Sequence, residues 1–350
     1  MAAARGICRA APLLAALAGG ASPAGADDLP GWAAAMSSGS ERLALYALER
    51  ARPAGSEGYR AELARRIGAL HPPGAGPMLV DRGASAWPIL SYSRNFNGGV
   101  PGETIMIGDL EWTIDPDDRA RSGVVIGAGA GAAAQFSYAA GSVLTAHAGV
   151  SVTTLAGEGI SRSDAAASLC AAQHLGGFAW LDACAGLAAA RQSGRDDVVE
   201  RSLSLTPVLV THIAGVDQQV SATIRRRMRN DYDQNSLSLD WTGAVPDLGA
   251  LSLGAEAGER VEGQNTVRRG VRGGLSRPLG GRPLRVEASW HETGGSAIFG
   301  TPRGDRVTLL SVETAATPRI GVSASIGRRD SNFDTYDEML GGIGLRLIGR

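Results

Sequence analysis

The sequence contains no lysine, so all 34 of its basic side chains are arginines. They nearly balance 35 acidic residues, and the formal net charge of −1 lacks the basic excess that indicates a nucleic-acid partner. Because alanine and glycine are abundant too, we interpret the arginine usage as the mark of a G+C-rich genome. Cysteine is also rare. Three cysteines occur in 350 residues, and one of them lies within the first 26.

Long hydrophobic runs are missing beyond the N-terminus, where no stretch approaches the ~20 apolar residues that a spanning helix needs. The N-terminus itself has the order of a secretory signal peptide. Arg5 and Arg9 precede the apolar run Ala10–Ala18, and Ala24–Ala26 supplies small residues for cleavage before Asp27. The alternative is a buried N-terminal helix. We therefore predict a signal peptide over residues 1–26 of an exported protein.

Alternation of apolar and polar residues is the main pattern in roughly the last 260 residues. In Arg319–Arg329, every second residue from Ile320 to Ile326 is apolar, with glycine and serine between them. Successive side chains of a strand point to opposite faces, so such a segment has one apolar and one polar face. The pattern recurs about fourteen times, as in a transmembrane β-barrel. The predicted strands are Trp87–Arg94, Ser122–Phe136, Ser142–Thr153, Asp164–His174, Gly177–Arg191, Val198–Thr211, Asp217–Arg229, Ser236–Thr242, Ala250–Arg260, Thr266–Leu275, Leu284–His291, Asp305–Thr314, Arg319–Arg329 and Met339–Ile348.

The predicted connections alternate between long and short, as in outer-membrane barrels with long extracellular loops and short periplasmic turns. Ser276–Pro283 fits this rule least well. The long ones are Asn95–Arg121, Thr154–Ser163, Glu292–Gly304 and Asp330–Glu338. A barrel of fourteen strands satisfies this alternation if the chain both enters and leaves it on the periplasmic side. We therefore predict a protein of the cell outer membrane, and the competing soluble β-sandwich gives no reason for this loop rule.

Residues 27–75 precede the barrel and have helical spacing. Ser40 and Ser56 are predicted N-caps of two helices, and His71–Gly74 reads as a linker. The fold class is thus mainly β, a transmembrane antiparallel barrel of about fourteen strands preceded by a short α-helical hairpin. The predicted domains are a signal peptide (1–26), a periplasmic, tetratricopeptide-like helical segment (27–75) and an outer-membrane β-barrel (76–350).

Charged residues on the strands are predicted to line the lumen, because charges facing lipid at mid-membrane are costly. The lumen-lining candidates are Arg225, Arg227, Arg268, Arg272, Arg285 and Glu287. Either they form a neutralising network that fills the barrel or they line a solvated conduit. The run of arginines at positions 225–227 and 229 could contact lipopolysaccharide phosphates, or it could be a solvated strand end.

Two cysteines, Cys170 and Cys184, are predicted on adjacent strands and on one face, where an oxidising envelope permits a disulfide. Otherwise they are two small lumen-facing residues. The histidines lack metal-ligand spacing, and the acidic cluster near Asp115 lacks the spacing of a known calcium loop. His291–Glu292 is the one pair near a rim that could serve a hydrolase. We predict no metal, no cofactor and no enzyme activity.

Three segments resemble the surface lipoprotein assembly modifier family: Tyr92–Gly99 with Trp112–Pro116, Phe299–Arg306, and Arg328–Asp337. The resemblance covers about Trp87 to Ile348. The helical region here is shorter than the several repeats of the family, and the last strand lacks a terminal aromatic residue. Candidate residues of extracellular loops are Asn95, Asn97, Trp112, Asp115, Asn332 and Tyr336.

The resemblance implies a translocon-like role, in which the protein assists surface exposure or secretion of lipoproteins or related clients. The expected partners are outer-membrane lipids, a lipoprotein client and the barrel-assembly machinery, with no nucleic acid. A passive pore for small solutes is the alternative, and a rim-active hydrolase is a third hypothesis.

Overall fold

The computed structural model describes residues 29–107, 110–298, 300–317, 320–333 and 336–347. The predictions for the signal peptide, Phe299, Arg319 and Ile348 lie outside these residues. Three helices come first: α1 (Gly31–Ser37), α2 (Glu41–Ala51) and α3 (Glu57–Arg66). No helix among the described residues is long and apolar enough to cross a membrane.

The helix caps test two sequence predictions. Ser40 caps α2 as predicted, because its hydroxyl accepts a hydrogen bond from the amide of Leu43 at 3.1 Å. Ser56 precedes α3, but its buried hydroxyl has no hydrogen-bond partner among the described residues, so the predicted side-chain cap is wrong. The sequence predicted two helices, and the short α1 was missed.

Fourteen strands form one antiparallel sheet, and two more form a hairpin within the first long loop. Each predicted strand is present. In chain order the strands are β1 (Met78–Ser93), β2 (Thr104–Ile107), β3 (Leu110–Thr113), β4 (Gly123–Ala139), β5 (Ser142–Leu155), β6 (Ser161–Gly176), β7 (Ala179–Gln192), β8 (Val198–Ile213), β9 (Val216–Arg229), β10 (Asp233–Val245), β11 (Gly249–Gly258), β12 (Thr266–Leu279), β13 (Arg282–Ile298), β14 (Thr301–Thr317), β15 (Ile320–Ser331) and β16 (Glu338–Leu347).

The large sheet curls into a barrel. Its order is β1-β4 and then every strand in sequence to β16, so each hairpin joins neighbours. β1 and β16 lie against each other, although no backbone ladder joins them in the described residues. The sequence prediction of a mainly β fold with a fourteen-stranded antiparallel barrel after N-terminal helices is confirmed.

Side chains alternate between the two faces of the barrel wall as the sequence predicts. On β9, Val220 and Ile224 face outward and are 42% and 64% exposed, whereas Asp217 on the opposite face is 2% exposed. The exposed large apolar residues recur along the outward rows of neighbouring strands, for example Leu203 and Leu205 on β8. In water this continuous apolar surface would be unfavourable, so it is the surface that lipid covers.

Connection lengths separate the two ends of the barrel. The described turns after even-numbered hairpin strands are two or three residues long, at positions 140–141, 177–178, 214–215, 246–248 and 280–281. Gly280 and Gly281 form the turn within the Ser276–Pro283 connection and have φ of 56° and 73°, which glycine adopts without steric cost. Extension of β12 and β13 to this turn removes the exception to the loop rule.

Two boundary predictions were wrong. β1 begins at Met78 rather than Trp87, and β13 and β14 run to Ile298 and from Thr301, so Glu292–Gly304 is not a long loop. The missed part of β1 covers nine of its sixteen residues; a register shift between Leu79 and Asp81 and the small residues Gly83–Ala86 leave it without a clear apolar–polar alternation. In β13 a register shift between Gly294 and Ala297 likewise interrupts the period of two.

Candidate functional site at the periplasmic mouth and in the lumen

The helices and the barrel share one hydrophobic core at the short-turn end. Leu43 and Leu48 of α2 are 0% and 2% exposed, and they belong to the same cluster as inward-facing Trp180, Val208 and Val210 of the barrel wall. Burial of each such leucine stabilises the assembly by about 2 kcal/mol. The helices therefore occupy the mouth of the barrel instead of standing apart from it.

One carboxylate of the wall binds α2 directly. Both guanidinium nitrogens Nη1 and Nη2 of Arg42 donate to Asp182 of β7, at 3.0 and 2.8 Å. The same guanidinium lies 4.8 Å from the ring centroid of Trp180, whose indole N–H donates to the carbonyl of Gly141. A bidentate pair fixes both distance and orientation, so this contact sets how α2 sits in the mouth.

A second carboxylate holds the other end of α2. Asp217 of β9 is 2% exposed and accepts a 2.8 Å hydrogen bond from Nε of Arg50. It also lies 2.7 Å from Nδ1 of His212 on β8. At the N-terminal end of α2, the hydroxyl of Ser40 donates to the side-chain oxygen of Gln219 on β9 at 2.6 Å. α2 is thus bound across β7 and β9.

The flanking helices contact the wall on either side of α2. The hydroxyl of Ser37 in α1 donates to the carbonyl of Ser276 on β12 at 2.9 Å. On the other side, the carbonyl of Gly68 accepts from the amide of Gly141 at 2.8 Å. Gly68 has φ 77°, and an added Cβ would come within 2.9 Å of the wall at Ser142, so no larger residue fits there. The three helices span the mouth from the β4–β5 turn to β12.

α3 carries its own charge network. The Arg65 hydrogen bond, with a further one from Arg66, lowers the pKa of Glu62 to about 2. Arg66 continues the network to Glu41 of α2 at 3.2 Å. A shallow apolar cavity of about 40 Å³, partly open to solvent, lies among the helices and is lined in part by Trp32, Met36 and Tyr59. It is smaller than the pockets that take drug-sized ligands.

The structure places the lumen-lining candidates on inward rows, with one exception. Arg225 and Arg227 of β9 lie opposite Ser204 and Ser202 of β8. Arg268 is instead the extra residue of a β-bulge in β12. Its Nη1 is buried and has no hydrogen-bond partner in the described part of the chain.

The remaining candidates pair with nearby carboxylates. Arg272 is bound to Asp240 on the wall, and Arg285 donates to Glu287 at 2.7 Å. Arg227 lies 3.9 Å from Glu200. These pairs favour the neutralising network over the solvated conduit.

Cys170 and Cys184 are directly opposite each other on β6 and β7 and are joined by a disulfide. Both lie on the lumen-facing rows, together with Asp182, which is opposite Ala172. The bridge therefore fastens the hairpin that carries the first anchor of α2.

The extracellular-loop candidates at the start of the first loop organise the loop itself. Asn97 is 8% exposed; its side chain donates to the carbonyl of Arg119 and accepts from the amides of Gly99 and Arg121. Asn95 donates to the carbonyl of Gly99 at 2.7 Å. Asn97 thus holds the start of the loop against its end, and Asn95 fixes the conformation of the start itself.

The other loop candidates are structural as well. Asp115 accepts from the amide of Asp117 and caps a short 3₁₀ helix, and Trp112 lies on the β2–β3 hairpin and is 46% exposed. Asn332 bonds to the backbone at Pro302 and Gly304. The ring centroid of Tyr336 lies 3.6 Å from the guanidinium carbon of Arg303.

The structure separates the two side chains, His291 and Glu292, on which the hydrolase hypothesis depends. His291 lies on the inward row of β13, opposite Gly270 and Val307, whereas Glu292 lies outward and binds Arg269 at 2.8 Å. Adjacent residues of a strand point to opposite faces, so the barrel wall separates the two. In the described residues no group of three or more His, Cys, Asp or Glu is placed to hold a metal.

Sequence reasoning missed Arg42 and Arg50 as functional residues. Asp182 and Asp217 were placed on lumen faces, but their partners lie 140 and 167 positions away. The sequence did contain one signal that these two arginines face the barrel. Arg42 and Arg50 are eight residues apart, so they share the side of a helix that also presents Leu43 and Tyr46 to the barrel.

No family model and no curated protein matches the chain. Among solved structures, the chain is similar to OccK10 (OpdN) of Pseudomonas aeruginosa, with a TM-score of 0.39 and 11% identity over 76% of this chain and 98% of that one. The beta domain of the Bordetella autotransporter BrkA matches with a TM-score of 0.32 and 16% identity over 75% and 98%. Outer membrane phospholipase A of Escherichia coli matches with a TM-score of 0.31 and 13% identity over 53% and 78%. At TM-scores below 0.5, these likenesses carry no inference about activity.

The architecture of the chain itself decides its location. A fourteen-stranded antiparallel barrel has an apolar outward band, a polar inward face and short turns at one end. Such barrels are outer-membrane proteins. This chain is an outer-membrane β-barrel protein.

Proposed function

We propose that this protein assists the surface exposure or secretion of lipoproteins or related clients, and that its helices regulate access to the barrel from the periplasm. One observation carries the regulatory part. α2 is fastened into the mouth by Asp182 and Asp217, at the end that a client from the periplasm meets first. The client class comes from the resemblance to the surface lipoprotein assembly modifier family.

In this proposal a client displaces or bypasses the helices and then follows a lateral or luminal route through the barrel. Folding of the client outside the cell supplies direction, because the outer membrane offers no nucleotide energy. The ion pairs along the wall keep the lumen polar without a strong net charge, which suits passage of an extended chain better than selection of one ion.

The alternative is a passive pore for small solutes. The rows of serine, threonine and charged residues on the inward face favour it, because they would keep an open lumen wet. The helices in the mouth argue against this alternative, because an element bound across the opening would obstruct the passage of solutes through a constitutive pore.

The test compares surface-exposed proteins by protease shaving of intact cells, in wild type, a deletion strain and the deletion strain complemented with the wild-type protein. Loss of one or a few lipoproteins from the surface, with unchanged total amounts and recovery on complementation, is expected. An unchanged surface together with slower uptake of small solutes would replace translocation by the pore.

A further inference from the structure

Arginines mark both edges of the lipid-facing band on β12. Its outward row runs Arg269, Val271, Gly273, Leu275, Arg277, each opposite an outward residue of a neighbouring strand. The two arginines are eight residues apart, or about 27 Å along the strand at ~3.4 Å per residue. After a strand tilt of ~40° the height is about 20 Å, close to the ~25 Å of an outer-membrane apolar band. Arg269 therefore lies at the extracellular edge.

Outward-facing arginines recur at this edge around the barrel. Four of them have acidic partners: Arg191 lies 3.6 Å from Asp197, Arg226 binds Asp233 at 2.7 Å, Arg269 binds Glu292, and Arg328 binds Asp330. Arg201 of β8 differs, because it makes no ion pair in the described part of the chain and its side chain is exposed. Arg306 of β14 also makes none, but it lies opposite Glu292 and Asp330, whereas no carboxylate lies opposite Arg201.

The surroundings of Arg201 are apolar. It lies directly opposite Leu187 of β7 and Met228 of β9, and Leu203, two residues along the same face, is opposite Arg226. Leu187 and Leu203 are 49% and 53% exposed on the lipid-facing side. A charge facing lipid is least costly near the interface, where headgroups replace water as its partners.

The register also divides the arginine run of β9. Arg226 faces outward, whereas Arg225 and Arg227 face the lumen. Arg201 and Arg226 are diagonal neighbours on adjacent strands, two residues apart in register. Arg226 gives one Nη2 hydrogen bond to Asp233 and keeps its other N–H groups, so the two guanidinium groups together can donate to the oxygens of a phosphate group.

We propose that Arg201 and Arg226 form a binding site for a phosphate-bearing lipid headgroup of the outer leaflet. The phosphate would lie against the two guanidinium groups, and the acyl chains would descend over Leu187, Leu203, Leu205 and Ile224. The charge supplies the headgroup contact and the leucines supply the lipid contact, so the occupant is a lipid rather than a soluble anion. The site rests on the outer-membrane location and is independent of the proposed translocation.

The test measures binding of labelled lipopolysaccharide to the purified full-length protein in a neutral detergent. The double substitution R201Q/R226Q is compared with R225Q/R227Q, which removes the same charge from the same region of the wall on its lumen face. The outward pair should weaken binding at least about tenfold, since two charge-assisted contacts are lost. The lumen pair should leave binding within about twofold of wild type.

Two further arms identify the ligand. Removal of the phosphates from lipopolysaccharide should weaken its binding to wild type at least as much as the R201Q/R226Q substitution weakens binding of phosphorylated lipopolysaccharide. Inorganic phosphate at equal concentration should not compete. The single variants R201Q and R227Q repeat the comparison should a double variant not fold. Equal weakening by outward and lumen substitutions, undiminished binding without phosphates, or full competition by inorganic phosphate would each overturn the proposal.

Discussion

The two ends of the barrel are organised in different ways. At the short-turn end, three helices share a hydrophobic core with the wall and are anchored by Asp182 and Asp217. At the long-loop end, the first loop is held by its own asparagines, chiefly Asn97, through backbone hydrogen bonds. An apolar core with two ionic anchors can be released as a unit, whereas a loop tied to its own backbone has nothing separate to release. The comparison indicates that any gate lies at the periplasmic end.

The largest expected effect comes from the shared core. Leu48→Ala should destabilise docking of the helices by about 2–5 kcal/mol, because it removes a fully buried side chain and leaves a cavity. Hydrogen exchange of residues 31–66 measures the change. Leu70→Ala is the control, because Leu70 is 59% exposed and should behave as wild type. Equal exchange in both variants would mean that the core does not hold the helices.

The second largest effect is expected at the first anchor of α2, the ion pair between Arg42 and Asp182. Asp182→Asn keeps the shape but removes the charge that Arg42 binds in a bidentate manner, so docking should weaken by about 1–3 kcal/mol. Limited trypsin cleavage within α2 reports the loosening. Asp240→Asn provides the matched control, since its carboxylate binds Arg272 on the wall. Faster cleavage in the control than in the anchor variant would contradict the assignment.

At the extracellular end, Asn97→Ala should open the first loop, with a cost of about 1–3 kcal/mol, because three backbone groups lose their partner. Hydrogen exchange should rise over residues 95–121 and stay unchanged in the helices. Asn95→Ala, which removes one bond to Gly99, should have the smaller effect. Coupled exchange at both ends would show that the ends are not independent.

The smallest effect concerns pH. The pKa of Glu62 falls from its ordinary 4.5 to about 2 in the folded protein, so its stabilising contribution is complete above pH 4.5 and is lost as the pH drops through 2. Because the side chain is 35% exposed, the change should be small. Thermal unfolding of the helices between pH 5 and 2 should be flatter in Glu62→Gln than in wild type. Parallel curves would place the acid sensitivity elsewhere.

The barrel could be predicted from sequence because lipid imposes a period of two on each strand, as Ile320–Ile326 illustrates. The loop rule then fixed the strand number. The same reasoning failed at Met78–Trp87 and at Glu292–Gly304, where register shifts and small residues interrupt the alternation. The lumen positions of Arg225 and Glu287 followed from alternation, whereas the bulge at Arg268 did not.

The mouth could not be predicted, because its contacts join residues far apart in the chain. Arg50 and Asp217 each have a local pattern, amphipathic helix and alternating strand, and neither pattern specifies the other. The helices therefore looked like a separate segment before a linker. Only the register of β7, β8 and β9 brings Asp182 and Asp217 to the same opening.

The central claim is that the helices restrict the periplasmic mouth, and single-channel conductance in planar bilayers tests it most directly. Wild type and Asp240→Asn should show low conductance. The double variant D182N/D217N should show conductance several times higher, because both anchors of α2 are lost while the barrel wall is intact. High conductance in wild type, or no rise in the double variant with helices shown to be released, would contradict the account.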